Sequence, residues 1–233
     1  MRLRPLVLSA LAALTLLALP AVAKDPALGT STFVVYEAFL SPAQEPGEES
    51  ETPKALKKSL GATQPSTLRA ERKSRGWGEV KFTADRSSAV VNVQIEGVKP
   101  EDIVMFHIHC GRPGILGPIL VDLGADPAHA GHGEHAADWT KLIQDGSFTK
   151  TITNADINFI TELPGMAPGL PEACPIGSGL PGQVKTIGGM EHIAREGLLY
   201  FNLHTKAHTY YGEMRGQIYP AVTPNIGAVN AKK

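Results

Sequence analysis

The clearest periodicity along the chain is two. "STFVVYEAFL" (31–40) alternates as a strand does, with successive side chains thrown to opposite faces. "GWGEVKFTADRSSAVVNVQIEGV" (76–98) reads as a hairpin. Val80 and Phe82 share one face of its first arm, Val91, Val93 and Ile95 share one face of its second, and "ADRSS" supplies the turn. "DIVMFHIHC" (102–110) and "GPILVDLG" (117–124) are the next two strands, joined by a stretch punctuated with Gly and Pro. "GSFTKTIT" (146–153) predicts another, and "LLYFNLHTKAHTYYGEMRGQIYP" (198–220) predicts a closing hairpin. Helical signals are few. A short helix is expected around 54–60. Another is expected in "IGGMEHIAREG" (187–197), with Gly197 just past its end. Many short strands, one late helix and long loops predict an all-β domain, a β-sandwich or Greek-key barrel.

Between these elements lie polar stretches. Residues 47–75 are charged and poor in aromatics, and read as a long excursion from the domain. "GADPAHAGHGEHAAD" (124–138) and the Pro- and Gly-bearing 163–184 read as further loop insertions. At the N-terminus, Arg2 and Arg4 precede an apolar run over 6–19, and Ala21-Val22-Ala23 is a small-residue cleavage site. This predicts a secretory signal peptide over 1–23, an uncleaved anchor being the alternative. Residues 24–31 are then an N-terminal extension, 32–220 the domain and 221–233 a tail. No later segment approaches the ~20 apolar residues of a spanning helix. The expected location is outside the cell or in the periplasm.

The formal net charge is −1, and removal of Arg2 and Arg4 makes it more acidic. That is no footprint of a nucleic-acid binder. The chain has two cysteines, Cys110 and Cys174. In an exported protein such a pair suggests a disulfide; two free thiols, or one thiol serving as a metal ligand, are the alternatives. There is no G-x-S-x-G elbow, Walker loop, dinucleotide fingerprint or H-E-x-x-H. "GRPGILG" joins strands and precedes no helix, so it is a turn and not a phosphate cradle.

The chemistry that remains is histidine chemistry. By parity, Phe106, Ile108 and Cys110 share one face of their strand, while Met105, His107 and His109 share the other. The apolar set should face the core. The two histidines then lie on the outer face or beneath a covering loop, and Cys110 is better cast as the partner of Cys174 than as a ligand. In "GLLYFNLHT" the same reasoning puts Leu199, Phe201 and Leu203 inward and Tyr200, Asn202 and His204 outward. If the two strands are neighbours, His107, His109 and His204 meet. Three neutral imidazoles suit copper, zinc or nickel. His208 and Glu213 are candidates for a fourth ligand, though each reads more simply as a solvated loop side chain. His129, His132 and His135 form a separate cluster, read as a flexible polar insertion with adventitious zinc or copper binding. His192 sits in the late helix and is expected to be structural or exposed.

Four segments, in order, carry a resemblance. "FLSPAQEP" (39–46), "GWGEVKF" (76–82), "FHIHCGRPGILGPIL" (106–120) and "GLLYFNLHTKAHTYYGEMRGQI" (197–218) resemble the CHRD domain, the module named after chordin and found in many exported bacterial proteins. The likeness covers roughly 32–220. It implies an immunoglobulin-like β-sandwich and little about activity. His107 and His109 match its H-x-H element, His204 the histidine of N-x-H-T, and Glu213, Arg215 and Gln217 its G-E-x-R-G-Q ending. The excursion at 47–75, the loops bearing "HAGHGEH" and Cys174, Cys110 directly after H-x-H, and Thr209 where the family often has proline depart from the pattern. More loosely, an H-x-H on a barrel strand is similar to copper-zinc superoxide dismutase, whose metal lies outside the barrel under long loops. The expectation is therefore a secreted binding module, more than an enzyme, with a copper-like site at His107, His109 and His204. Its rivals are a structural or adhesion module without metal, and a superoxide dismutase-like redox enzyme. Copper or zinc is the only cofactor expected. No nucleic acid and no stable membrane span are expected, and any extracellular protein partner is left open.

Overall fold

The computed structural model describes residues 25–125, 137–157 and 184–221. Eight strands form one curled antiparallel sheet, a half-barrel: β1 (Thr32–Leu40), β2 (Arg75–Thr83), β3 (Ser88–Glu96), β4 (Ile103–Cys110), β5 (Ile119–Asp122), β6 (Ser147–Thr153), β7 (Leu199–Thr205) and β8 (Met214–Pro220). Their spatial order is β5-β4-β7-β8-β1-β2-β3-β6. The first three strands form a meander, and β7 then returns beside β4 rather than beside β6. The all-β fold expected from the sequence is thus a single curled sheet whose strand order crosses over rather than following the chain. The two edges approach each other. Val121 of β5 bridges Ile157, just past β6. Lys150 of β6 donates its Nζ to the carbonyls of Leu123 and Ala125 at 3.3 and 2.6 Å.

Alternation explains the strands. In β3, residues Ala89, Val91, Val93 and Ile95 are buried and their neighbours are not. The inward set of the whole sheet forms one core, in which Phe106 sits within 5.9–6.3 Å, ring centre to ring centre, of Phe201, Trp139 and Phe148. Cys110 is fully buried on that same core side of β4. Its expected partner Cys174 lies outside the described residues, as do the signal segment 1–23, the tail from 222 and the histidines 129, 132 and 135.

Among the described residues the α-helices are three and short: α1 (Lys57–Leu60), α2 (Trp139–Leu142) and α3 (Ile187–Arg195). Helix α3 buries Ile187, Met190, Ile193 and Ala194. Its N-cap Thr186 accepts from Gly189 N at 3.0 Å. It ends on Gly197 at φ +68°, where Gly197 N bonds Ala194 O and Leu198 N bonds Ile193 O. This closing motif needs a left-handed residue, so glycine supplies it. Among the described residues no helix is long and apolar enough to cross a membrane.

The outer face divides in two. On β3 and β6 the outward positions are open or half-open, as alternation predicts. On β7 every residue is buried, and so are the last five of β4 and the first five of β8. Loops lie over this half. Thr63 and Gln64 bond Lys206 O, and Glu49 accepts the amides of Tyr210 and Tyr211. The excursion at 47–75 is thus tied to the sheet at several points. Leu56, Arg72 and Ser74 are all buried.

Replacing Phe106 by Ala should cost about 3–5 kcal/mol, since the ring is fully buried at the centre of the aromatic cluster. Urea unfolding of the purified protein measures this, and a loss below about 1 kcal/mol would show that the ring does not centre the core.

Candidate metal centre

Strands β4 and β7 are antiparallel neighbours, with Met105 opposite His204, His107 opposite Asn202 and His109 opposite Tyr200. Residues facing each other in this way share a face. Hence His107, His109 and His204 all stand on the outer side. One nitrogen from each lies within 4.8 Å of the others. The ring centres are 5.3 Å apart for His107 and His109, 5.4 Å for His107 and His204, and 6.3 Å for His109 and His204. A metal bound at its usual nitrogen distance would hold its ligand atoms about 3.4 Å apart, so small ring rotations would close the set.

The three rings are 3–8 % exposed, which makes their unsatisfied atoms informative. Nε2 of His109 has no hydrogen-bond partner, nor has either nitrogen of His204. The Thr209 backbone lies close enough to His204 to oppose the fall of its pKa, without a hydrogen bond of good geometry. Buried polar atoms are normally paired, so these orphans fit the donor set of a metal ion. Burial holds His109 down to about 3; the Gly117 carbonyl opposes this, and the charges of His204 and Arg215 add to it. Burial holds His204 down to about 4. Both rings are therefore neutral near pH 7, the form in which imidazole binds metals.

His109 is the best anchored of the three. Its Nδ1 donates to Gly117 O at 2.8 Å, which leaves Nε2 to face the other histidines. Its ring stacks on Tyr200 at 4.9 Å and 13°. The Arg215 guanidinium lies 3.4 Å from the centre of the Tyr200 ring. Tyr200 Oη accepts from Gly117 N at 2.9 Å. Gly117 thus holds both rings, and no larger residue would fit: a Cβ there would lie 1.8 Å from Cys110 O. Arg215 in turn donates to the carbonyls of Ile115 and Arg112, at 2.9 and 2.7 Å. Gln217 donates to Gly111 O and Gly197 O. Loop 111–118 is therefore clamped from β8. On the other side, Asp122 of β5 sits opposite His107, with its Oδ1 4.0 Å from Nε2 and also accepting from Gly124 N.

His208 and Glu213 are not brought to this group. They are buried and pair with each other, so neither is the solvated side chain the sequence suggested. Glu213 also accepts from Ser74 Oγ at 2.6 Å, and Nε2 of His208 lies 3.1 and 3.2 Å from the Thr67 backbone. The pair fastens the excursion to the hairpin. His192 is exposed.

Glu45 was not singled out as a site residue, although it lies in the "QEP" stretch of the family likeness. It is buried over Asn202, which donates to its Oε1 at 2.8 Å, while its Oε2 has no partner. Burial pushes its carboxyl well above the usual range, against the pull of Arg215 and Arg72. Asn202 faces His107 across the ladder, so the polar layer runs on from the histidines to Glu45. Nothing in periodicity marks Glu45 or Asp122; only the return of the loops over the sheet brings them in.

An all-β half-barrel with a covered, histidine-bearing outer face defines the class of domain. The CHRD domain family model matches residues 57–218, and the chain belongs to that family. No curated protein and no solved structure matches it. The matched stretch holds β2 to β8 and all three histidines, while β1 precedes it and still completes the sheet.

The neutrality of the buried rings has a consequence for metal-free protein. Unfolded, both histidines titrate near pH 6.5 and bind protons that the folded state refuses, so between about pH 6.5 and 4 they remove stability as the pH falls. The melting temperature from pH 7.5 to 5 should drop more steeply in wild type than in the H109Q/H204Q double variant. Parallel curves would refute their neutrality. Separately, Gly117→Ala should cost about 1–3 kcal/mol by overpacking against Cys110 O; urea unfolding reads it, and an unchanged midpoint would show that loop 111–118 is free to move aside.

Proposed function

We propose that the protein is an exported CHRD-type binding module that holds a transition-metal ion, copper before zinc, at His107, His109 and His204. The observation that carries this reading is the convergence of three buried imidazoles, of which His109 and His204 are held neutral by burial and keep nitrogens without partners. Three neutral nitrogen donors suit copper and zinc, and three protein ligands leave room for a fourth. Such an ion would act as a Lewis acid, or, if copper, as a one-electron centre. The protein's part is to exclude water, to fix the His109 tautomer through Gly117 and to hold His107 beside Asp122. Export is supported by the charged, then apolar, then small-residue pattern of 1–23. A Cys110–Cys174 disulfide belongs to the same reading, since Cys110 points into the core and away from the histidines.

A second reading is a structural or adhesion module without metal. It is favoured by the completeness of the clamp made by Arg215, Gln217, Glu213 and Ser74, which needs no ion to satisfy it.

Titration of the purified protein with Cu(II) and Zn(II) separates the two. The metal reading expects one tight site per chain, lost in H107A. It also expects a rise in melting temperature that EDTA reverses, since an ion at a hundred times its Kd stabilises by about 2.7 kcal/mol. Equal, weak binding by wild type and H107A, with no thermal shift, would leave the structural module standing.

A further inference from the structure

Met105 is on the histidine side of β4, two residues before His107 and directly opposite His204 in the β4–β7 ladder. The pairing runs without a break from Met105 to Cys110, and the one irregularity falls before Met105. Side chains facing each other in this way have their Cβ atoms about 4.5–5.5 Å apart. A methionine side chain has three rotatable bonds with which to cover what remains. Met105 is also partly exposed, whereas the three histidines are buried. The His109 end of the group is closed by Tyr200 and Gly117. The partly exposed residues beside the group are thus Met105 on β4 and Asp122 on β5.

These two residues differ in chemistry. Asp122 is a hard oxygen donor, with Oδ1 already engaged by Gly124 N and directed at His107. It is not among the ligand atoms that converge. Met105 offers a soft, neutral thioether, which selects monovalent copper over zinc. Three imidazoles and a thioether carry no charge. Burying a monovalent ion among them costs less than burying a divalent one.

We propose that Met105 is the fourth ligand of the site, so that the module prefers Cu(I) to Zn(II). This rests on the metal reading of His107, His109 and His204. Asp122 then orients His107 without binding the ion.

The test is competition of the purified protein against a chromogenic Cu(I) chelator under anaerobic, reducing conditions, and against a chromogenic Zn(II) chelator. The variants are M105L and H204A. Met105→Leu keeps the side-chain volume and should fold. It should lose about tenfold or more in Cu(I) affinity, the scale on which even outer partners of a metal act, and keep Zn(II) affinity within about twofold. X-ray absorption at the copper edge of the wild type should show one sulfur neighbour, absent in M105L. H204A should lose both ions. Cu(I) binding by M105L as tight as wild type, an equal loss of both ions, or a copper edge with nitrogen neighbours alone, overturns the role of Met105 while leaving the triad in place. Failure of the wild type to bind either ion more tightly than H204A defeats the triad itself, and Met105 with it.

Discussion

A single buried cation holds the covered half of the sheet together. Arg215 is 1 % exposed, and its guanidinium is fixed by two carbonyls of loop 111–118, by Gln217 Oε1 and by the face of Tyr200. A buried charge without such partners would be strongly destabilising, so the loop has to close over it in one conformation. That conformation puts Gly117 where it can hold both Tyr200 and His109. The planar fork of arginine matters here, because it bonds two carbonyls and stacks on a ring at once, which an ammonium cannot do. Order at the histidines is thus inherited from a residue on β8, a strand that carries none of them.

The second tie is made from the opposite direction. The excursion at 47–75 is rich in charge, and by composition it should have stayed in water. It is held down because its charges meet the sheet's own polar atoms. Arg72 bonds the carbonyls of Gly212 and Glu213, Glu49 gathers two amides of the hairpin, and Glu213 joins Ser74 and His208. Each contact satisfies a group that burial would otherwise leave unpaired. With the core on one face and these ties on the other, β7 has no exposed residue.

This arrangement also explains what could be read from sequence and what could not. The strands, the turn at "ADRSS", the helix ending at Gly197 and the shared face of His107, His109 and His204 follow from periodicity and local chemistry, which neighbours in sequence determine. Family likeness added the order of the segments. The burial of the outer face did not follow, because alternation with polar residues looks the same whether water or a polar loop lies above it. His208 and Glu213 read as solvated for that reason, and Glu45, Tyr200 and Asp122 carried no signal of their own. Each depends on a contact between segments far apart in the chain, such as Glu45 with Asn202.

The meeting of β5 and β6 bears on how the domain treats its neighbours. An open sheet ordinarily ends in backbone groups that can template another chain. Here one edge strand is only four residues long, the Val121–Ile157 bridge draws the two edges together, and Lys150 takes up carbonyls that follow β5. The seam at Val121 and Ile157 thus presents less backbone to a second molecule than a bare edge would. Contact made at that seam falls to side chains, and so to sequence-specific surfaces rather than the indiscriminate stickiness of a bare strand.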